Sequence, residues 1–183
     1  KKWCYKNNTQ KIINYVKKVI LITGASSGIG KDTAISLIKH GHVVYGAARR
    51  LEMMQDIIQA GGHAIKMDIL KDKNIDDVVN QIIKEQSRVD VLINNAGYGL
   101  WGAVETISID EAKRQFDVNI FGLAYLTKKI IPIMRKQKSG KIINMSSMGG
   151  KVYTPFGAWY HATKYALEGW SDCLRIELKS FGI

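Results

Sequence analysis

A five-residue apolar run, Val19–Thr23, ends at a glycine and passes through Gly24-Ala25-Ser26-Ser27-Gly28-Ile29-Gly30 into helical spacing. Valine and isoleucine favour a pleated backbone, and an unbroken apolar run fits a strand covered on both faces. The helical pattern covers 28–40 and stops at Gly41. The alternation then recurs. Strands are predicted at 43–47, 64–67, 89–93 and 141–145, and helices at 51–60, 75–85, 109–135 and 158–181. Strands that alternate with helices pair in parallel, with right-handed crossovers covering both faces of the sheet. The expected fold is α/β: a doubly wound, Rossmann-like parallel sheet in one domain. No linker and no solenoid-length repeat divides the chain.

The net charge of +11 invites a nucleic-acid partner, so its location decides the matter. Lys1, Lys2, Lys6, Lys11, Lys17 and Lys18 contribute +6 with no acid before residue 19, which leaves only +5 for the rest. The excess is a basic leader, 1–18, read as flexible, ahead of a domain at 19–183. No recognition element accompanies it, and no nucleic-acid role is assigned. No apolar run has the length of about 18 residues that a membrane span needs. Cys4 and Cys173 make no disulfide framework, which fits a reducing, cytoplasmic setting. His40, His42, His63 and His161 show no metal-ligand spacing and read as surface or loop residues. No metal is expected.

The glycine turn carries the first chemistry. Glycine reaches backbone angles barred to other residues and lets a ligand approach the main chain. Free N–H groups at a helix start bind phosphate. The spacing is Gly-x-x-x-Gly-x-Gly, and no Walker lysine follows. Past the second strand, Gly46-Ala47-Ala48-Arg49-Arg50 has no acid before Glu52. An acid there would hold a ribose 2′-hydroxyl, whereas two guanidiniums suit a 2′-phosphate. This favours NADP over NAD, with NAD left open.

Tyr160 and Lys164 carry the second. In Tyr160-His161-Ala162-Thr163-Lys164 they are i and i+4 of a predicted helix, on one face. A tyrosine with its usual pKa of about 10 is a poor proton-transfer group at neutral pH. A neighbouring cation favours the phenolate.

The glycine turn, Asn94-Asn95-Ala96-Gly97 after the fourth strand, the serines Ser146 and Ser147 after the fifth, and Tyr160 with Lys164 occur in one order. Together they resemble the short-chain dehydrogenase/reductase family in its common, non-extended form, over 19–183. The resemblance implies hydride transfer between a nicotinamide and a carbonyl/alcohol pair, with Ser147, Tyr160, Lys164 and Asn119 as the catalytic set. The family's serine stands 13 positions before its tyrosine, which selects Ser147 over Ser146. Gly24, Ser26, Ser27, Gly28, Ile29 and Gly30 would hold the pyrophosphate. Arg49 and Arg50 would meet the 2′-phosphate, and Asp68 and Ile69 the adenine. Asn94, Asn95, Ala96 and Gly97 would line the cofactor and steady the sheet, and Tyr160 and Lys164 would also touch it. Asn119 would position a water linking Lys164 to solvent. Two long helices of the family commonly form a dimer interface, so a homo-oligomer through 109–135 and 158–181 is an expectation.

The chain departs from the family pattern in two places. Ser27 stands where many NADP-preferring relatives carry a base. The family also continues beyond the equivalent of Ile183 with further strands and a substrate lid, so the fifth strand is expected to be an open edge. A small carbonyl or alcohol substrate is implied. Tyr98, Leu100, Trp101 and Trp159 suggest an apolar wall for a lipophilic one. The alternative is a truncated, catalytically silent nucleotide-binding or interaction protein of the same fold.

Overall fold

The computed structural model describes residues 16–183. Most of the expected basic leader, 1–15, lies outside the described residues. Five parallel strands form one sheet: β1 (Val19–Thr23), β2 (Val43–Ala48), β3 (His63–Lys66), β4 (Val91–Asn94) and β5 (Lys141–Asn144). Their order is β3-β2-β1-β4-β5. The chain therefore winds outward from β1 through β2 to β3, then returns to the other side of β1 for β4 and β5. The carboxyl ends of β1 and β4 flank the point where the winding reverses, which is where open α/β sheets leave a crevice.

Alternation along the strands feeds two cores. Leu21 pairs in register with Tyr45, and both face α3 (Asp72–Gln86) and α5 (Leu123–Gln137). Ile20 pairs with Val44, and both face the opposite layer of α1 (Gly28–Lys39) and α2 (Gln55–Gln59). On α3, the buried Ile75, Val78, Val79 and Ile82 have the spacing of one helical stripe. The Tyr45 ring is buried and stacked on His63 at 4.4 Å, and its hydroxyl donates to Glu85 at 2.7 Å.

Three expected elements differ in form. The helix at 51–60 is a 3₁₀ turn, Leu51–Met54, followed by the short α2. The helix at 75–85 starts earlier, at Asp72. The long helix at 109–135 is three pieces in sequence. These are α4 (Ile109–Phe116), a π-helical stretch Asp117–Gly122, and α5. α4 opens with a capping box, in which Ser108 Oγ accepts from the Glu111 N–H and Glu111 accepts from the Ser108 N–H. The wide turn ends at Gly122, where an added Cβ would stand 2.5 Å from the Ile69 carbonyl oxygen. The last helix, α6 (Ala158–Leu178), closes with a 3₁₀ turn. Among the described residues β5 has a strand neighbour on one side only.

Candidate functional site

The glycine turn is held from behind by the end of β4. Thr23 Oγ1 accepts from the Asn95 N–H at 3.0 Å and the Ala96 N–H at 2.9 Å. Asn95 Nδ2 donates to the Thr23 carbonyl at 3.0 Å. Gly24 and Gly28 have φ of +69° and +54°, the left-handed region that favours glycine. Their surroundings differ. A Cβ on Gly24 would stand 2.9 Å from Ala96 Cα, whereas one on Gly28 would meet nothing within 4 Å. Gly30 packs against the Gly24 carbonyl and the Asn95 side chain. Ser27 precedes α1 and makes no side-chain cap, and the first turn holds no acid. The helix start is therefore electropositive, with donors unclaimed by side chains.

A cavity of about 570 Å³ opens in front of this turn. Gly24, Ser26 and Ser27 line it from the turn after β1 and Ile29 from α1, with Arg49 and Arg50 following β2, Asp68 and Ile69 following β3, and Asn95, Ala96 and Gly97 following β4. Both arginines are exposed at its rim. Asp68 braces the entry to α3, accepting from the Leu70 N–H at 3.1 Å. Gly28 and Gly30 shape the turn without lining the cavity. Thr23, Arg114 and Val118 also line it and were not anticipated, and Tyr98, expected in a substrate wall, lines it as well. Arg114 and Val118 are four apart on α4 and its wide turn, a spacing that could have paired them.

Tyr160 and Lys164 lie past the Gly97–Tyr98 rim of that cavity rather than in its wall. An added Cβ on Gly99 would stand 3.6 Å from Tyr160 Cδ2, and one on Gly149 would stand 3.2 Å from Tyr160 Cε1. Trp101 flanks the phenol with ring centroids 5.8 Å apart. Lys164 is 8% exposed, and its Nζ donates to the Met145 carbonyl at 2.7 Å. The same nitrogen is 5.8 Å from the Tyr160 ring centroid. Burial pushes its amine below the ordinary lysine value. Ser147 Oγ accepts from the Gly149 N–H at 3.0 Å, which leaves the hydroxyl proton for another acceptor. Ser146 turns instead to a cleft of about 300 Å³ beside β5 and α6. Its buried hydroxyl has no partner at full hydrogen-bond geometry. It nevertheless approaches Glu168 and, ahead of Lys151, holds that carboxyl below its usual range.

Asn119 is 2% exposed, and its amide is fully engaged. Its Nδ2 donates to the Tyr98 carbonyl and to Thr163 Oγ1, and its Oδ1 accepts from the Tyr98 N–H. Thr163 Oγ1 in turn donates to the Tyr160 carbonyl at 2.7 Å. The asparagine thus brackets the Tyr98 backbone to α6, and it reaches Tyr160 through Thr163, which the sequence reading passed over. Two corrections follow. Trp159 does not share a wall with Trp101; it lines a groove with Phe116 and Phe121, because its position on α6 faces α4. His161 is not a surface residue. It is 6% exposed, because the 148–157 loop folds back over it. Among the described residues no group of three His, Cys, Asp or Glu side chains is placed to hold a metal, and no helix is long and apolar enough to cross a membrane.

Residues 18–183 match the short chain dehydrogenase family model, and the chain belongs to that family. It is 43% identical over 166 residues to a 3-ketodihydrosphingosine reductase from Bacteroides thetaiotaomicron, covering 91% of this chain and 60% of that protein. A solved short-chain dehydrogenase from Streptomyces avermitilis superposes with a TM-score of 0.89 at 40% identity, covering 92% of this chain and 63% of the other. An actinorhodin polyketide ketoreductase solved with NADPH gives 0.87 at 31%, covering 91% and 67%. The chain thus spans about 60% of the length of the curated relative it matches.

Proposed function

We propose that this chain provides the nucleotide-binding and catalytic part of an NADP(H)-dependent oxidoreductase acting on a carbonyl/alcohol pair. The observation that carries the reading is the buried Lys164 amine beside Tyr160, just beyond a cavity built from an uncapped helix start and two rim arginines. A dinucleotide fits that cavity by chemistry. The helix start and the open space over Gly28 suit a pyrophosphate. Arg49 and Arg50 suit a 2′-phosphate. The cofactor would supply or accept the hydride.

The chain's own residues do the rest. Tyr160 gives its proton to the carbonyl oxygen in reduction and takes it back in oxidation. Ser147 donates to the same oxygen and orients it. The Lys164 ammonium stabilises the phenolate that Tyr160 becomes. Asn119 keeps Tyr98 and α6 in register through Thr163. A positioned acid/base of this kind contributes about 10²–10⁴-fold.

The substrate is proposed to be lipophilic. Trp101 is 56% exposed beside Tyr160, and Phe156 is 64% exposed in the facing loop. The loops carrying them are tied by the Gly102 N–H donating to the Phe156 carbonyl at 2.8 Å. The Bacteroides relative is named for a long-chain ketone, which agrees with such a collar.

Nicotinamide fluorescence titration with NADPH and NADH tests the cofactor, followed by a panel of ketones of increasing chain length. NADPH should bind about tenfold tighter than NADH or better. Ketones should be reduced with KM falling as the chain lengthens. Failure to bind either nucleotide would overturn the reading. Binding without turnover would instead support a silent nucleotide-binding protein.

A further inference from the structure

His161 follows the catalytic tyrosine candidate but is buried against the 148–157 loop, and nothing in the proposed chemistry uses it. Its surroundings are nonetheless built to fit. The imidazole is wedged between two glycines: a Cβ on Gly149 would stand 2.9 Å from its Nδ1, and one on Gly157 would stand 2.6 Å from its Nε2. The Trp101 ring meets it edge-on, with centroids 5.8 Å apart at 86°. Nδ1 is 2.9 Å from the Gly149 carbonyl, which can only accept. Nε2 is 3.2 Å from the Thr154 N–H, which can only donate, and 3.0 Å from the Thr154 hydroxyl. Only one neutral tautomer, with the proton on Nδ1, satisfies both sides.

The bonds continue to Ser147. Gly149 accepts from His161 through its carbonyl and donates through its N–H to Ser147 Oγ at 3.0 Å. The Gly150 N–H also donates to the Ser147 carbonyl at 3.0 Å. One imidazole therefore grips the loop at Gly149, two residues past Ser147, and again at Thr154, near its far end. Chained hydrogen bonds polarise one another and resist bending.

We infer that His161 is a positioning residue: its Nδ1–H tautomer staples the 148–157 loop to α6 and sets Ser147 against Tyr160. The catalytic half of this rests on the oxidoreductase reading, and the structural half on the loop alone. The two grips have separate consequences. The Gly149 grip governs the Ser147 hydroxyl and so kcat. The Thr154 grip governs the loop that carries Tyr153 and Phe156, and so the KM of the carbonyl substrate.

Three variants separate them. Asparagine places an N–H near the Nδ1 position, glutamine places an acceptor near the Nε2 position, and alanine supplies neither. His161→Ala should lower kcat by roughly 10–100-fold, as small misplacements of a reacting group do. NADPH affinity should stay unchanged, because the nucleotide cavity is not touched. His161→Asn should recover most of kcat with a raised KM, and His161→Gln the reverse. Hydrogen exchange at the Thr154 amide and imidazole ¹⁵N shifts in the unmodified chain test the staple without turnover. Slow exchange and a protonated Nδ1 support it. Fast exchange of Thr154, or a proton on Nε2, overturns it even if the chain is an active enzyme. Equal kcat and KM losses in all three variants also overturn it, since a generic packing role would predict that. If no carbonyl is turned over, the oxidoreductase reading fails on its own. The exchange and ¹⁵N results then decide the staple.

Discussion

Lys164 Nζ donates to the Met145 carbonyl at 2.7 Å, which binds the second turn of α6 to the residue that follows β5. An ammonium has three donors, and this bond uses one. The same nitrogen lies 5.8 Å from the Tyr160 ring centroid. A strand end thus holds a cation in place, at the cost of burying it.

That burial gives a test in which stability and activity move apart. Burial alone lowers the Lys164 pKa in the folded chain. The unfolded chain then binds more protons, so this group's contribution to stability rises with pH. Its penalty is complete below the folded pKa and disappears as pH approaches the ordinary lysine value of 10.5. Lys164→Met should therefore be as stable as the parent or more so near neutral pH, with the difference shrinking in alkali. Turnover should be lost. Thermal melts from pH 6 to 10 check the sign, and a large uniform drop in Tm would contradict it.

Tyr160→Phe removes only the hydroxyl. The ring contact with Trp101 and the neighbouring Gly149 are untouched. Turnover should fall about 10²–10⁴-fold, while NADPH affinity holds. Steady-state kinetics with parallel fluorescence titration would show it. Normal turnover in this variant removes Tyr160 from the mechanism.

Two glycine substitutions should fail in different ways. Gly28→Ala meets open space but takes a left-handed φ of +54°, a strain of about 1–2 kcal/mol. It should fold with a modestly lower Tm and bind NADPH more weakly, because the strained position stands between Ser27 and Ile29, which line the cavity. Gly30→Ala drives a methyl into the Gly24 carbonyl, 2.5 Å away. It should lose most of its folded population in a urea titration, before any binding is measured.

Arg49→Glu with Arg50→Ser replaces two rim cations by one acid. A charge-assisted hydrogen bond contributes about 1.5–3 kcal/mol, so NADPH affinity should fall by roughly 10-fold or more while NADH affinity rises or holds. Both side chains are exposed, so the melt should not move. Equal losses for the two nucleotides would place the arginines away from the 2′-phosphate.

The alternation of strands and helices was legible because β1 is a buried apolar run, and because the helices between the strands carry a single stripe, as α3 does. The glycine turn was legible for a different reason, as a glycine-spaced passage from strand to helix, and so was the shared face of Tyr160 and Lys164, as positions i and i+4 of one helix. The unread features depend on contacts between segments distant in the chain. The π-helical stretch around Asn119 brings Gly122 against the Ile69 carbonyl, a contact that no local pattern announces. Thr163 looks like any helical threonine until Asn119 donates to it. His161 reads as a surface residue until the loop between β5 and α6 closes over it.

Tyr45 supplies a test of the fold itself, away from the site. Burial first, then the hydrogen bond to Glu85, pushes its hydroxyl up to about 12 from 10.0. The folded chain thus keeps this proton after the unfolded chain has lost it. The stabilisation is complete below pH 10 and is lost as pH rises from 10 towards about 12. The urea midpoint should therefore fall over that window. Tyr45→Phe loses the bonds to Glu85 and Gln86 and should be less stable at neutral pH. Its alkaline fall should also be flatter, because the titrating group is gone. If parent and variant lose stability in parallel above pH 10, then lysines held above their ordinary value by a carboxylate, such as Lys129 beside Asp76 and Lys151 beside Glu168, dominate the alkaline limb, and the Tyr45–Glu85 contact contributes nothing to it.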